Sequence, residues 1–177
     1  SGLICEVIES MQTLKDNGPN DILDIVYHLG EHCLKISGIK NGKEKIKSVI
    51  ENGQAYEKFE KMIFNHNGQI KEIKLNPNSK KIIKAEKNGY LNFLDTKSLG
   101  STIIELGGGR RKIEDLVDPQ AGFKLIKKHG EYVCKNDEIA EIFCSNSSKI
   151  DSGYNIFKNS IKIVERPPND YILIHQR

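Results

Sequence analysis

No apolar run in this 177-residue sequence approaches the roughly 20 residues of a membrane span. The longest candidate, residues 22–27, is broken by Asp24. The first apolar stretch carries Glu6 and Glu9 with no basic segment ahead of it, so no secretory signal is expected. Neither a membrane partner nor a membrane anchor fits this pattern, and a cytoplasmic location is the expectation. Cysteine is sparse: Cys5, Cys33, Cys134 and Cys144 form no C-x-x-C pair. Reduced thiols are expected, rather than a disulfide framework or a zinc knuckle. Charge of one sign is also lacking, since 27 basic against 24 acidic residues leave a net +3. With aromatics at 7% and no groove-reading element, no nucleic-acid partner is expected. Repeats and low-complexity blocks are absent. The remaining composition, 37% hydrophobic and 29% charged, is that of a soluble globular chain. It opens on Ser1-Gly2-Leu3 and runs at once into a helical pattern, as if begun in the middle of something.

The two halves differ in charge and in period. Residues 1–75 carry a net −1 and residues 76–177 a net +4. Apolar residues three to four apart predict a helix over Leu3–Leu14, ended by Asn17-Gly18-Pro19. A second helix follows, capped by Asn20 or Asp21 and stopped near Gly38. Two more are predicted over residues 43–51 and 54–66. Asn76-Pro77-Asn78-Ser79 reads as a linker. Beyond it the period shortens to that of strands at residues 82–85, 89–94, 122–126, 138–143 and 161–164. Helices are predicted at 97–106, opened by Asp95 or Thr96, and at 149–159. After the last strand come Pro167-Pro168 and a C-terminal tail. The fold class is therefore α+β, divided into a helical part over residues 1–75 and a mixed part over 80–177.

Three local patterns bear on chemistry. His28-Leu29-Gly30-Glu31-His32 matches H-x-x-E-H, in which histidines one turn apart clamp zinc and the glutamate activates water. No partner ligand presents itself, Gly30 weakens the helix, and the pair falls on the polar side of the stripe; a solvated face is the plainer reading. Leu106 to Lys112, L-G-G-G-R-R-K, is the most distinctive stretch. A glycine run after a helix lets the backbone turn tightly or approach a ligand, and paired arginines suit a phosphate or carboxylate. It is neither a P-loop nor a dinucleotide fingerprint, and on spacing alone a helix C-cap with a tight turn is the simpler account. Residues 129–139 have the strand-turn-strand rhythm of biotinyl and lipoyl carrier domains, without the lysine tripeptide those domains modify.

These segments, in this order, resemble the C-terminal part of the thymidine and pyrimidine-nucleoside phosphorylases. The resemblance rests on Cys5 to Ser10, on Asn17-Gly18-Pro19 with Asp21, on Ile50 to Phe59, and on Asn88 to Leu91. It is most specific at Leu99-Gly100-Ser101, Gly107-Gly108-Gly109-Arg110-Arg111, Asp115, Asp118 and Gly122-Phe123. It implies phosphorolysis, in which phosphate attacks the anomeric carbon of a pyrimidine deoxyribonucleoside. It also implies that residues 1–75 are the helical end of the family's α/β lobe. Residues 80–177 would be its C-terminal subdomain, of hammerhead or barrel-sandwich form. The family's phosphate-binding glycine-rich stretch and its base-holding segment have no counterpart here. No catalytic residue is therefore assigned to this chain, whose expected partners are the rest of such an enzyme, phosphate, a nucleoside and a second copy as a homodimer. By the same resemblance Glu9 aligns with a glutamate that helps hold a monovalent cation, its carbonyl partners lying ahead of Ser1. No other cofactor is implied. Gly107, Gly108, Gly109, Arg110 and Arg111 become a candidate loop on the phosphate side.

Overall fold

The structure, a computed structural model, describes residues 1–169. The tail expected after Pro167-Pro168 falls outside the described residues from 170 onward. Contacts divide the chain into two units: Val7–Lys74, and Ser1–Glu6 together with the described residues from Leu75 onward.

The first unit is helical: α1 (Ile4–Leu14), whose first three residues belong to the second unit, then α2 (Asn20–Ile36), α3 (Gly42–Glu51) and α4 (Gln54–Asn65). The cap of α2 is neither Asn20 nor Asp21 but Pro19, whose carbonyl accepts the amides of Ile22 and Leu23. Proline suits the position because its ring holds φ near the extended value seen here (−62°) and it has no N–H to leave unpaired. The Asp21 carboxylate instead accepts its neighbour's amide, Ile22 N, at 3.0 Å. At the other end the amides of Gly38 and Ile39 close onto the carbonyls of Lys35 and Leu34, the paired closure that ends many helices.

This unit has almost no interior. Ile50 is the one fully buried aliphatic side chain among its described residues, while Leu29, Phe64 and Ile36 are 59%, 77% and 88% exposed. On α2 the apolar residues Ile22, Val26, Leu29, Cys33 and Ile36 recur at alternating steps of four and three, the seam spacing of packed helices. From Val26 onward that seam is exposed.

The second unit contains β1 (Ser79–Lys84), β2 (Gly89–Phe93), α5 (Thr96–Leu106), β3 (Gly122–Leu125), β4 (Tyr132–Val133), β5 (Glu138–Cys144), α6 (Ile150–Asn159) and β6 (Ile161–Val164). The strands make two antiparallel three-stranded sheets, ordered β1-β5-β3 and β4-β2-β6. The mixed α+β class holds, but no barrel closes among the described residues: β1 and β6 remain outer strands. β1 begins earlier than its apolar residues alone predict. Ser79 pairs with Cys144, and Lys80 reaches Glu141 across the ladder at 3.5 Å. Cross-strand partners thus extend the strand through a polar stretch. β4 is a two-residue strand, flanked by turns at Gly130 and Asn136, both with positive φ.

Leu91, Ile83, Val133, Ile139, Ile142 and Phe157 form a buried core, with the rings of Phe123 and Phe157 edge-to-face at 5.1 Å. The first residues of the chain belong here too. Ser1 and Phe123 exchange backbone hydrogen bonds of 2.7 and 2.8 Å, and Gly2 bridges Gly122. No helix of the described residues is long and apolar enough to cross a membrane.

Candidate functional site

The glycine-arginine turn grows from the end of α5. That helix starts at Asp95, whose carboxylate accepts Lys97 N at 2.9 Å and the Ser98 hydroxyl at 2.6 Å. It ends at Gly107, whose φ of 101° is the left-handed backbone that favours glycine. The amides of Gly107 and Gly108 return to the carbonyls of Ile104 and Ile103 at 3.0 and 2.8 Å. The glycine run is thus a C-cap, as spacing alone suggested.

Beyond the cap, two aspartates hold the loop. Asp115 accepts the amides of Arg111 and Lys112 at 2.9 and 3.0 Å. Those two backbone bonds, Lys112 foremost, hold its carboxyl below the usual aspartate range. Asp118 accepts Ser145 N at 2.6 Å, the Ser145 hydroxyl at 2.8 Å and Gln120 N at 3.0 Å, while its own amide donates to the Gly107 carbonyl. It therefore ties the turn to the end of β5.

The two arginines have different circumstances. The Arg111 guanidinium bonds Glu105, which also accepts the Ser152 hydroxyl at 2.8 Å. Arg111 is thus engaged across the helix end. Arg110 is exposed and has no ion pair or hydrogen bond among the described residues. Of the pair it is the cation left to meet an external anion. With Glu105, Asp115 and Asp118 beside Arg110, Arg111, Lys112 and Lys149, the turn is not a strongly positive patch.

Because Asp115 titrates below its unfolded value, its contribution is present above the ordinary aspartate range and is lost as pH falls through the depressed value. In an acid titration followed by NMR, the amides of Arg111 and Lys112 should shift with a midpoint below that of an unstructured aspartate. A midpoint at the ordinary value would contradict these bonds.

The other sequence candidates lie apart. Glu9 sits on α1, half-buried, and its carboxylate has no partner among the described residues. The rings of His28 and His32 meet edge-to-face at 4.7 Å on α2, with Glu31 exposed. No group of three or more histidine, cysteine or acidic residues is placed to hold a metal among the described residues. His129 is structural: its Nδ1 accepts the Phe93 amide at 3.1 Å. All four cysteines are free. Burial pushes the Cys5 and Cys144 thiols up, Asp118 adding to the second, so neither is an activated nucleophile. The role of Asp118 was missed in the sequence, where it stood only as one letter of a motif; the Asp-Pro pair beginning a turn was the available signal.

Comparison with known proteins agrees with the geometry of the second unit. Residues 90–164 match the pyrimidine nucleoside phosphorylase C-terminal domain. A thymidine phosphorylase of Metamycoplasma hominis is 35% identical over 149 residues, covering 79% of this chain and 55% of that protein. A pyrimidine-nucleoside phosphorylase of Staphylococcus epidermidis is 30% identical over 171 residues, 92% of this chain and 39% of its own length. One from Geobacillus stearothermophilus is 27% identical over 186 aligned positions, 99% of this chain and 42% of the relative. The chain thus spans about half the length of these relatives, or less.

Proposed function

We propose, from the premise that this chain belongs through residues 90–164 to the pyrimidine nucleoside phosphorylase C-terminal domains, that it serves as the C-terminal portion of a thymidine or pyrimidine-nucleoside phosphorylase. In that reaction an oxygen of inorganic phosphate bonds to the anomeric carbon as the glycosidic C–N bond breaks. The base departs with the bonding electrons and takes a proton, leaving 2-deoxyribose 1-phosphate. Charge at the sugar is oxocarbenium-like, so catalysis is chiefly positioning and electrostatics. This chain supplies scaffold rather than reacting groups: the Cys5 and Cys144 thiols are not activated, and the carboxylates at the turn are engaged, Asp115 by backbone amides, Asp118 by amides and the Ser145 hydroxyl, Glu105 by Arg111 and Ser152.

The observation that carries the reading is the bare interior of the helical unit. A seam ending in Leu29 and Ile36, 59% and 88% exposed, is a face built to be covered. The occupant is the remainder of the phosphorylase, because the matched relatives run from about one and a half to about two and a half times this length. The assembled enzyme is a homodimer in the cytoplasm on this reading, and no step runs through a metal.

The test mixes this chain with the N-terminal portion of the Staphylococcus epidermidis relative, of which this chain covers 39%, and assays phosphate-dependent release of thymine from thymidine. Activity is expected from the mixture and not from either part. Leu29→Asp with Ile36→Asp should weaken assembly at least about ten-fold, since burying each aliphatic side chain is worth roughly 1.5–3 kcal/mol. Activity from this chain alone, or no complex by light scattering, would overturn the proposal.

Arg110 gives a second handle. In the assembled enzyme Arg110→Ala should raise the KM for phosphate about two- to five-fold, the size of one exposed ionic interaction. The thermal melt should not move, because the exposed Arg110 side chain makes no ion pair or hydrogen bond among the described residues. An unchanged phosphate dependence would remove the loop from the functional site.

A further inference from the structure

A groove of about 470 Å³ opens in the second unit, far in sequence from the glycine-arginine turn. It lies where the outer strand of one sheet, β1, and the outer strand of the other, β6, are both lined up on one opening. Its apolar lining is aliphatic: Leu94 and Ile161 offer the open surface, backed by the buried Ile83, Ile139 and Ile163. No aromatic ring lines it, so a base has nothing to stack on.

Four lysines surround this surface: Lys84, Lys87, Lys158 and Lys162. Lys158 is committed to Glu86 through an ion pair that depresses the glutamate and raises the lysine. Lys84, Lys87 and Lys162 are exposed, and their ammonium groups have no ion pair or hydrogen bond among the described residues. Glu86 is the sole acidic lining residue, so the groove carries three unpaired positive charges over an aliphatic floor. Lysines on outer strands do guard against edge-to-edge pairing, which accounts for Lys84 and Lys162. It does not account for Lys87, which is in the β1–β2 turn, or for an open volume over Leu94 and Ile161.

We propose that this groove binds a small amphiphilic anion: a compact aliphatic body bearing one carboxylate or phosphate head. The volume falls in the range of small-ligand sites and exceeds what a bare inorganic ion requires. The aliphatic floor takes the body, and the three free ammonium groups take the head.

The test is an NMR titration of the full chain with octanoate, alongside octan-1-ol, octyl phosphate and inorganic phosphate. Octanoate or octyl phosphate should give saturable shifts at the amides of Ile83, Leu94 and Ile163, and the stronger of the two identifies the preferred head. Octan-1-ol and inorganic phosphate should each bind at least about ten-fold more weakly, each lacking one half of the recognition. The triple variant Lys84→Gln, Lys87→Gln, Lys162→Gln keeps the aliphatic floor and should weaken octanoate at least about ten-fold. Shifts without saturation, equal binding of octanoate and octan-1-ol, or an unaffected triple variant would overturn the proposal and leave the lysines as edge guards alone.

Discussion

Asp118→Ala should destabilise the second unit by about 2–4 kcal/mol, since hydrogen bonds to a charged group are worth roughly 1.5–3 kcal/mol and those of one side chain do not add fully. Three donors lose their acceptor at once: Ser145 N, the Ser145 hydroxyl and Gln120 N. Ser145 directly follows β5, the central strand of its sheet. The loss is therefore felt in the core ladder as well as in the loop. Urea unfolding followed by far-UV circular dichroism measures the change. Hydrogen exchange locates it, because the Ser145 amide should lose protection before the β5 amides do. Asp118→Asn should fall between, since the amide keeps one carbonyl acceptor and turns a donor toward the other partner. A variant as stable as the parent would mean that water replaces all three bonds, and the loop would then be held by Asp115 and the glycine cap alone.

The helices and most strands were legible because their signals are local. Apolar spacing marks α1 to α6, and Asp95 announces α5 through its own side chain. What failed to show depends on partners distant in sequence. β1 extends through Lys80 and Lys81 because Glu141 and Asp151 answer them from β5 and α6. Pro19 displaces the expected caps of α2 because the backbone, not the side-chain chemistry, decides that position. The separation into two sheets rests on which strands find neighbours, and no period in the sequence records it.

The candidate site divides in the same way. The glycine-arginine run was visible, and its reading as a helix cap followed from spacing. The fate of each arginine was not visible. Arg111 is taken by Glu105 across the helix end, and only the turned backbone brings them together. The lysine groove had no sequence signature at all, since Lys84 and Lys162 meet only through folding. What unites these cases is that charge placement on this chain is decided by tertiary contacts, whereas its helical and strand periods are not.

Gly153→Ala should be destabilising even though alanine is the better helix former. Gly153 is buried in the middle of α6, where it faces α5. A Cβ there would lie 2.5 Å from Cδ2 and 2.8 Å from Cγ of Leu106. Leu106 is fully buried and has no solvent to swing into. The gain in helix propensity is about 1 kcal/mol. Overpacking a filled core costs typically 1–3 kcal/mol, and contacts this short fall toward the upper end. The net loss should be about 1–2 kcal/mol, and Gly153→Val should lose more. Leu106→Ala alone should cost about 2–5 kcal/mol through the cavity it leaves. Combined with Gly153→Ala it should cost at least about 1 kcal/mol less than the two separate losses summed, because the new methyl enters the space the leucine vacates. Strict additivity in that cycle, measured by urea unfolding, would show that α5 and α6 do not meet at this pair.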